Sequence, residues 1–269
     1  MPTTLNIPAI LAAVRHAGNL FLPDFRHSPI PQDMATFTQQ LADIESRCLT
    51  ALQERLAQDF PATPWLSADF PDEAAGEQPA HPEYWLCDAM DGAIQYVQHL
   101  PGWTINLVLM RAGQPYFAAI YDPFGQELFW AEAGGGAFVN EMPLHPSTKQ
   151  DAALTLAVFE HSHGLADDPS LLARVGGSVT DLLRAFGVVR NYGPHGLQLA
   201  YVGAGRLDVF YQEGRDVENW LPGLLIAREA GADVGTADGQ PWHWSADSLL
   251  VTAPGLGATF RQARPTPIR

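Results

Sequence analysis

The apolar pattern of this chain changes near residue 150, and that change constrains the fold more than any other feature of the sequence. Before it, short aromatic and aliphatic runs follow one another with turn residues between them: Tyr84–Cys87, Trp103–Met110, Pro115–Tyr121 and Gln126–Ala131. Such runs are typical of an antiparallel sheet. After it, strand-like and helix-like segments alternate. Strands first, and alternating strands and helices later, predict a layered α/β sandwich.

Two helices are expected before the strands, and further helices after residue 150. Apolar residues recur at helical spacing from Ile7 to Phe21 and again from Phe37 to Leu56, whereas the proline-rich residues 61–83 are typical of a loop. In the second half we expect strands at 154–159, 188–190, 207–211 and 248–252, and helices near 168–175, 196–203 and 217–230. We expect the halves, residues 1–150 and 151–269, to form one compact unit with the site between them.

Charge and composition argue against several classes of function. Thirty Asp and Glu against fifteen Lys and Arg give a formal charge of -15, which opposes binding to nucleic acid or to an anionic membrane. No apolar run approaches the ~20 residues of a membrane-spanning helix, and the N-terminus lacks a secretory pattern, so we expect a cytoplasmic protein. The cysteines, Cys48 and Cys87, are too few for a disulfide framework and are expected to pack in the core.

Two aspartates stand three residues apart at the end of an apolar run. Asp88 and Asp91 follow Tyr84–Cys87 and precede Gly92, where we expect the chain to leave the sheet and aim both carboxylates into one cleft. Magnesium prefers oxygen ligands, so two carboxylates and the backbone carbonyl between them would form half of a site. On spacing alone, an acidic turn that caps a following helix is the commoner explanation.

The wider sequence resembles a known signature. The segment Trp85-Leu-Cys-Asp-Ala-Met-Asp-Gly-Ala-Ile-Gln-Tyr-Val97 is similar to that of the inositol monophosphatase family, in which a strand ends in Asp-Pro-x-Asp-Gly-Thr. Ala200–Tyr211 and Leu225–Gly231 resemble the strand and helix end of the family's second motif, and Gly134–Leu144 fits its hairpin. The resemblance implies an αβαβα sandwich, a magnesium-dependent phosphomonoesterase acting on a small phosphorylated polyol or sugar, and a homodimer.

The resemblance assigns roles to the aspartates and their neighbours. Asp88 and Asp91 match the family's metal-binding aspartates, and Met90 would supply the carbonyl between them. The amides of Gly92 and Ala93 fall where the family binds phosphate. Half of the family's site is therefore expected to be intact.

Two other metal ligands of the family are changed. An ungapped alignment places Ala68 on the family's upstream glutamate, with Asp69 beside it, and a one-residue shift of the loop would bring Asp69 to the metal. Asn219 falls on the aspartate of the later helix and offers an oxygen without a charge. Asp216, three residues earlier, is expected either to cap that helix or to compensate.

The residues implied for catalysis differ as well. Ala93 replaces the threonine that holds the attacking water in the family, so its hydroxyl is missing. Glu45 aligns with the helical acid that assists this water, whereas Asp43 would fit only with a small insertion. An ordinary solvated carboxylate is the alternative for either residue. Asp91 and Glu45 are thus the predicted catalytic residues.

The predicted substrate contacts are His195, Gln212 and Asp216. Gln212 replaces a glutamate that contacts a sugar hydroxyl in the family, and His195 stands among small pocket residues, although a lone histidine is more often structural. These departures predict weak magnesium binding and weakened phosphatase activity. The alternative is a catalytically impaired family member that acts as a ligand-binding or interaction protein.

Overall fold

A computed structural model describes residues 5–66, 81–162 and 165–264 of the chain. Within these ranges two β-sheets alternate with layers of helices. The helices are α1 (Ile7–Asn19), α2 (Met34–Leu56), α3 (Ala93–Val97), α4 (Pro169–Ala185), α5 (His195–Gly203), α6 (Val217–Ala230) and α7 (Leu256–Ala263). None of these helices is long and apolar enough to cross a membrane.

The first sheet is built from strands in chain order. It contains β1 (Trp65–Leu66), β2 (Glu83–Asp91), β3 (Thr104–Arg111), β4 (Gln114–Asp122), β5 (Glu127–Glu132), β6 (Gly136–Val139) and β7 (Met142–Pro143). Neighbours from β2 to β7 are antiparallel, and β1 pairs parallel with β2. Short connections join the strands from β3 to β7, because antiparallel neighbours need only a hairpin, whereas α3 lies between β2 and β3.

The second sheet is mixed. Its strands are β8 (Leu156–His161), β9 (Val188–Arg190), β10 (Val209–Glu213), β11 (Asp233–Gly235) and β12 (Ser248–Thr252), in the order β11-β12-β10-β8-β9. β8 is parallel to both β9 and β10, and β12 is antiparallel to both β10 and β11. The helices α4 and α5 make the crossovers that parallel strands require.

Alternating side chains divide the first sheet into two apolar faces. On β3, Ile105 and Leu107 pack in the core with α1 and α2, whereas Val108 and Met110 pack in the core with α5 and α6. Successive side chains of a strand point to opposite faces, so a strand with apolar side chains on both faces must be covered on both sides. The first sheet therefore lies between two helical layers.

The second sheet is covered in the same way. Val158 and Phe210 share the core of α5 and α6, whereas Ala157 and Val209 pack with the helices α4 and α7. Because α6 lies between the two sheets, it is apolar on nearly all faces, with ten of its fourteen residues buried. The five layers confirm the predicted αβαβα sandwich.

Several elements differ from the sequence prediction. β2 continues to Asp91 and does not end at Cys87. α4 runs to Ala185, well past residue 175, because Leu182 is fully buried against the second sheet; packing there outweighs the low helix propensity of Gly176 and Gly177. The third difference is that β11 and α7 were not predicted.

Candidate functional site

A β-bulge brings the two predicted aspartates together. β2 pairs with β3 at Asp88–Asn106 and at Asp91–Thr104, so β2 has one extra residue between these two pairs. In a regular strand, side chains three residues apart face opposite sides of the sheet, and an extra residue reverses this relation. The bulge therefore allows Asp88 and Asp91 to face the same side.

Gly92 turns the chain from β2 into α3. Its φ of 85° lies in the left-handed region, and a Cβ atom there would come within 2.6 Å of the Gly102 carbonyl oxygen. It stands at the N-cap of α3, where no side chain makes a capping hydrogen bond. The two aspartates therefore do not cap α3. Gly92 and Ala93, at the start of α3, stay predicted phosphate contacts.

Asp91 is held by both halves of the chain. Its Oδ2 accepts hydrogen bonds from the Gly196 amide at 2.8 Å and from Asn106 Nδ2 at 3.0 Å. Thr104 Oγ1 donates to Asn106 Oδ1 at 2.8 Å, and this chain of side chains is buried. Gly196 leaves no room for a side chain, since a Cβ atom would lie 2.6 Å from Asn106 Nδ2. These contacts fix Asp91 between β3 and α5.

The supporting residues Thr104 and Asn106 were missed in the sequence. Both are polar residues at the start of a strand whose other members are almost all apolar. Buried polar side chains need partners, so two of them within one apolar strand are a usable signal of a buried network.

Asp88 and Asp91 repel each other. Burial and the negative charge of Asp91 raise the pKa of Asp88 well above its ordinary value, and Asp216 adds to the rise, although a hydrogen bond from the Met90 amide and the charge of His195 oppose it. Such a pair of carboxylates is stabilised by a cation. This favours the prediction that the two aspartates form a metal half-site.

His195 lies between two carboxylates from distant parts of the chain. Its Nδ1 is 3.9 Å from Asp91 Oδ1, and its Nε2 is 3.4 Å from Asp216 Oδ2. Burial alone would lower the pKa of His195, but contact with Asp91 and the charges of Asp91, Asp216 and Glu160 raise it to about 9. The His195 ring therefore lies between the end of β2 and the residue that precedes α6.

Asp216 belongs to a network of buried amides. Its Oδ2 accepts from Gln212 Nε2 at 2.8 Å, and its Oδ1 accepts from Asn219 Nδ2 at 2.6 Å. Gln212 is fully buried, and its Oε1 accepts from Trp220 Nε1 at 2.6 Å. Asp216 precedes α6, yet its carboxylate does not cap the helix. The substrate contacts proposed for Gln212 and Asp216 stay predictions, and both side chains already bind protein groups.

Glu160, also missed in the sequence, anchors the segment before His195. This buried carboxylate at the end of β8 accepts from the Gly193 amide at 2.9 Å, from Gln198 Nε2 at 2.7 Å and from Asn191 Nδ2 at 3.1 Å. Its position directly after the apolar residues of β8 was the available signal, because strand ends commonly carry site residues. Glu160 therefore fixes the backbone that presents His195.

Glu45 stays a predicted catalytic residue. It is exposed on α2. Its charge reaches Cys87: a hydrogen bond with Cys48, burial, and the charges of Cys48, Asp88 and Glu45 raise the pKa of the Cys87 thiol. Asp69, the other predicted metal ligand, lies outside the described residues.

Comparison with known proteins identifies the fold. A model of the inositol monophosphatase family matches residues 7–265. The chain belongs to the inositol monophosphatase family. It is 31% identical over 209 residues to an inositol-1-monophosphatase of Rhizobium meliloti, covering 73% of this chain and 72% of that protein. The recognition made from Trp85–Val97 is thereby confirmed.

Other similar proteins bear a different name. The chain is 28% identical over 231 residues to the Nus factor SuhB of Xylella fastidiosa, covering 84% of this chain and 79% of that protein. Its structure is similar to that of an inositol monophosphatase from Anabaena, with a TM-score of 0.78, 22% identity and coverage of 97% and 96%. The chain thus has relatives named as enzymes and relatives named as a Nus factor.

The oxygen atoms at the end of β2 are suitable ligands for magnesium. Asp88, Asp91 and the Met90 carbonyl are the hard oxygen ligands that magnesium takes. On the other side of the site, Asn219 donates its amide to Asp216, and His195 fills the space toward Asp91. In the described ranges, no three His, Cys, Asp or Glu side chains are grouped to hold a metal ion.

Proposed function

We propose that this family member is a magnesium-dependent phosphomonoesterase with a weakened metal site, acting on a small phosphorylated polyol or sugar. The observation that carries the proposal is the pairing of Asp88 and Asp91 at the β2 bulge, where burial and mutual repulsion raise the pKa of Asp88. A relative named inositol-1-monophosphatase, 31% identical, supports the same reaction class.

Magnesium would be held by Asp88, Asp91 and the Met90 carbonyl. When bound, it supplies charge neutralisation of the phosphate and polarisation of a water. The protein's own part is to hold the ligands in place. Asn106 and Gly196 both donate hydrogen bonds to Asp91 Oδ2, so Asp91 Oδ1 would be the oxygen that binds the ion. Asp69 is a further candidate ligand.

Activity is expected to be weak because several groups are missing. Asn219 supplies no negative charge at the later helix, and fewer charged ligands lower affinity for divalent cations. Ala93 has no hydroxyl to hold an attacking water, so Glu45 and Asp91 would act without that help; losing such a group costs on the order of 100-fold in rate. The amides of Gly92 and Ala93 are the proposed phosphate contacts, with His195, Gln212 and Asp216 toward the rest of the substrate.

Phosphate release from a panel of phosphorylated polyols and sugars, with magnesium and with a chelator, tests the proposal. We expect slow release that needs magnesium and falls at least on the order of 100-fold in Asp88→Asn. Asp167→Asn is the matched control, because Asp167 is an exposed aspartate ahead of α4. Equal release by the wild type and Asp88→Asn would refute the proposal.

A catalytically impaired, ligand-binding or interaction protein is the second candidate. It is favoured by the hydrogen bonds that Asp216 accepts from Gln212 and Asn219, which form without a metal ion, and by relatives named Nus factor SuhB. Calorimetry separates the candidates: a phosphorylated polyol that binds without being hydrolysed, with or without magnesium, would support the second.

Four further assignments are part of the proposal. We propose a cytoplasmic homodimer, by resemblance to the family, in which residues 1–150 and 151–269 of each chain enclose one site. Light scattering after gel filtration tests the dimer. The charge of -15 supports the absence of a nucleic-acid partner, and fluorescence anisotropy with labelled RNA and DNA tests it.

A further inference from the structure

The His195 ring occupies the gap between the two carboxylates that face each other across the site. Asp91 Oδ1 lies 3.9 Å from one ring nitrogen and Asp216 Oδ2 lies 3.4 Å from the other. Only 14% of the His195 side chain is exposed. The ring is thus enclosed in the site and does not extend from its rim.

Both carboxylates are held in place by the protein itself. Asp216 receives amide hydrogen bonds from Gln212 and Asn219, one on each oxygen. Asp91 receives two on its Oδ2, from Asn106 and Gly196. Neither carboxylate therefore depends on a cation for its position.

The backbone that carries the ring is anchored on each side. Two residues before His195, the Gly193 amide donates to the buried Glu160 at 2.9 Å. One residue after it, the Gly196 amide donates to Asp91 at 2.8 Å. Moving the ring out of the gap by shifting the backbone would break these charge-assisted hydrogen bonds, which are stronger than hydrogen bonds between neutral groups.

We propose that His195 takes the place of a divalent cation between Asp91 and the start of α6, and so reduces the number of cations that this site binds. Magnesium keeps several of its waters in protein sites, so an ion bound to Asp91 that reaches Asp216 through those waters would need the space that the ring fills. Asn219 directs its amide nitrogen at Asp216 and supplies no negative charge to such an ion. The inference rests on the proposed function in that divalent cations bind this site.

Counting bound Mn²⁺ by electron paramagnetic resonance tests the inference. His195→Ala removes the ring and leaves Asp91 and Asp216 facing each other, so we expect it to bind one more Mn²⁺ per chain than the wild type. Asn219→Asp alone should bind no more than the wild type, because the ring still fills the gap. His145→Ala is the matched control, since His145 is an exposed histidine after β7.

Equal Mn²⁺ counts in the wild type and folded His195→Ala would overturn the inference. If His195→Ala fails to fold, anomalous diffraction from wild-type crystals soaked in Mn²⁺ decides: no peak between Asp91 and Asp216 supports it, and a peak there overturns it. The proposed function fails separately, when no phosphate is released although the Mn²⁺ counts differ as expected. Magnesium-dependent release with equal counts refutes the inference alone.

Discussion

Gln212→Glu should destabilise the protein at neutral pH, even though it restores the glutamate that the family resemblance implies at this position. Gln212 is fully buried, and its Nε2 donates to Asp216 Oδ2 at 2.8 Å. The substitution replaces that donor by a carboxylate oxygen. Two unit charges at that separation repel by about 6 kcal/mol at an effective dielectric constant of 20.

Proton uptake limits the cost of this repulsion. A glutamate with an ordinary pKa of about 4.3 can be protonated at pH 7 for about 4 kcal/mol, which is less than the repulsion. One carboxyl of the pair should therefore hold a proton, with its folded-state pKa raised. His195, 3.4 Å from Asp216 Oδ2, lessens the repulsion. The loss in free energy of unfolding at pH 7 is therefore at most about 4 kcal/mol.

The sign of the pH dependence follows from the raised pKa. The folded variant binds a proton that the unfolded chain releases above about pH 4.3, so its stability falls as pH rises from there to neutrality. Urea unfolding should show Gln212→Glu losing up to about 4 kcal/mol against the wild type at pH 7 and much less near pH 4.5.

Two control variants separate charge from packing. Gln212→Met also removes the partner of Trp220 Nε1, so it should be destabilised by a similar amount at both pH values. Gln53→Glu, on the exposed face of α2, should change little. A loss below about 1 kcal/mol at pH 7 in Gln212→Glu, with no pH dependence, would refute the reasoning.

Three further predictions concern the site and its supports. Asp88→Asn should raise the thermal midpoint of the metal-free protein, because it removes the repulsion with Asp91, and a lower midpoint would contradict this. Gly92→Ala should cost about 2 kcal/mol or more in urea unfolding, since the new Cβ would lie 2.6 Å from the Gly102 carbonyl oxygen; an unchanged midpoint would be evidence against that close approach. Burial raises the pKa of Asp122, so ionised Asp122 lowers the free energy of unfolding once the pH rises above the pKa that this residue has in the unfolded chain. In urea unfolding, Asp122→Asn should therefore be more stable than the wild type at pH 7, and the difference should become smaller as the pH is lowered.

Local pattern was sufficient for most of the fold. The helical spacing from Ile7 and from Phe37 corresponds to α1 and α2, and the aromatic runs correspond to β2–β5, because periodicity reports which sides of an element are covered. The local pattern did not predict the C-terminal end of α4, and it did not predict β11 or α7. There, packing against the second sheet decides the structure, and short segments carry little periodic signal.

The site was predicted less completely than the fold. Asp88, Met90 and Asp91 could be chosen because they are close in sequence and match a family motif. Thr104, Asn106 and Glu160 were missed, since each acts on a partner far along the chain.

The sequence by itself determined that this chain is a five-layered sandwich of the inositol monophosphatase family, and it predicted departures at the family's metal-binding positions. Only the tertiary structure decided what those departures mean together. His195 begins α5, Asp216 precedes α6 and Asp91 ends β2, and no local pattern predicts that they meet. Their meeting depends on how α5 and α6 pack between the two sheets, which is a property of the assembled layers.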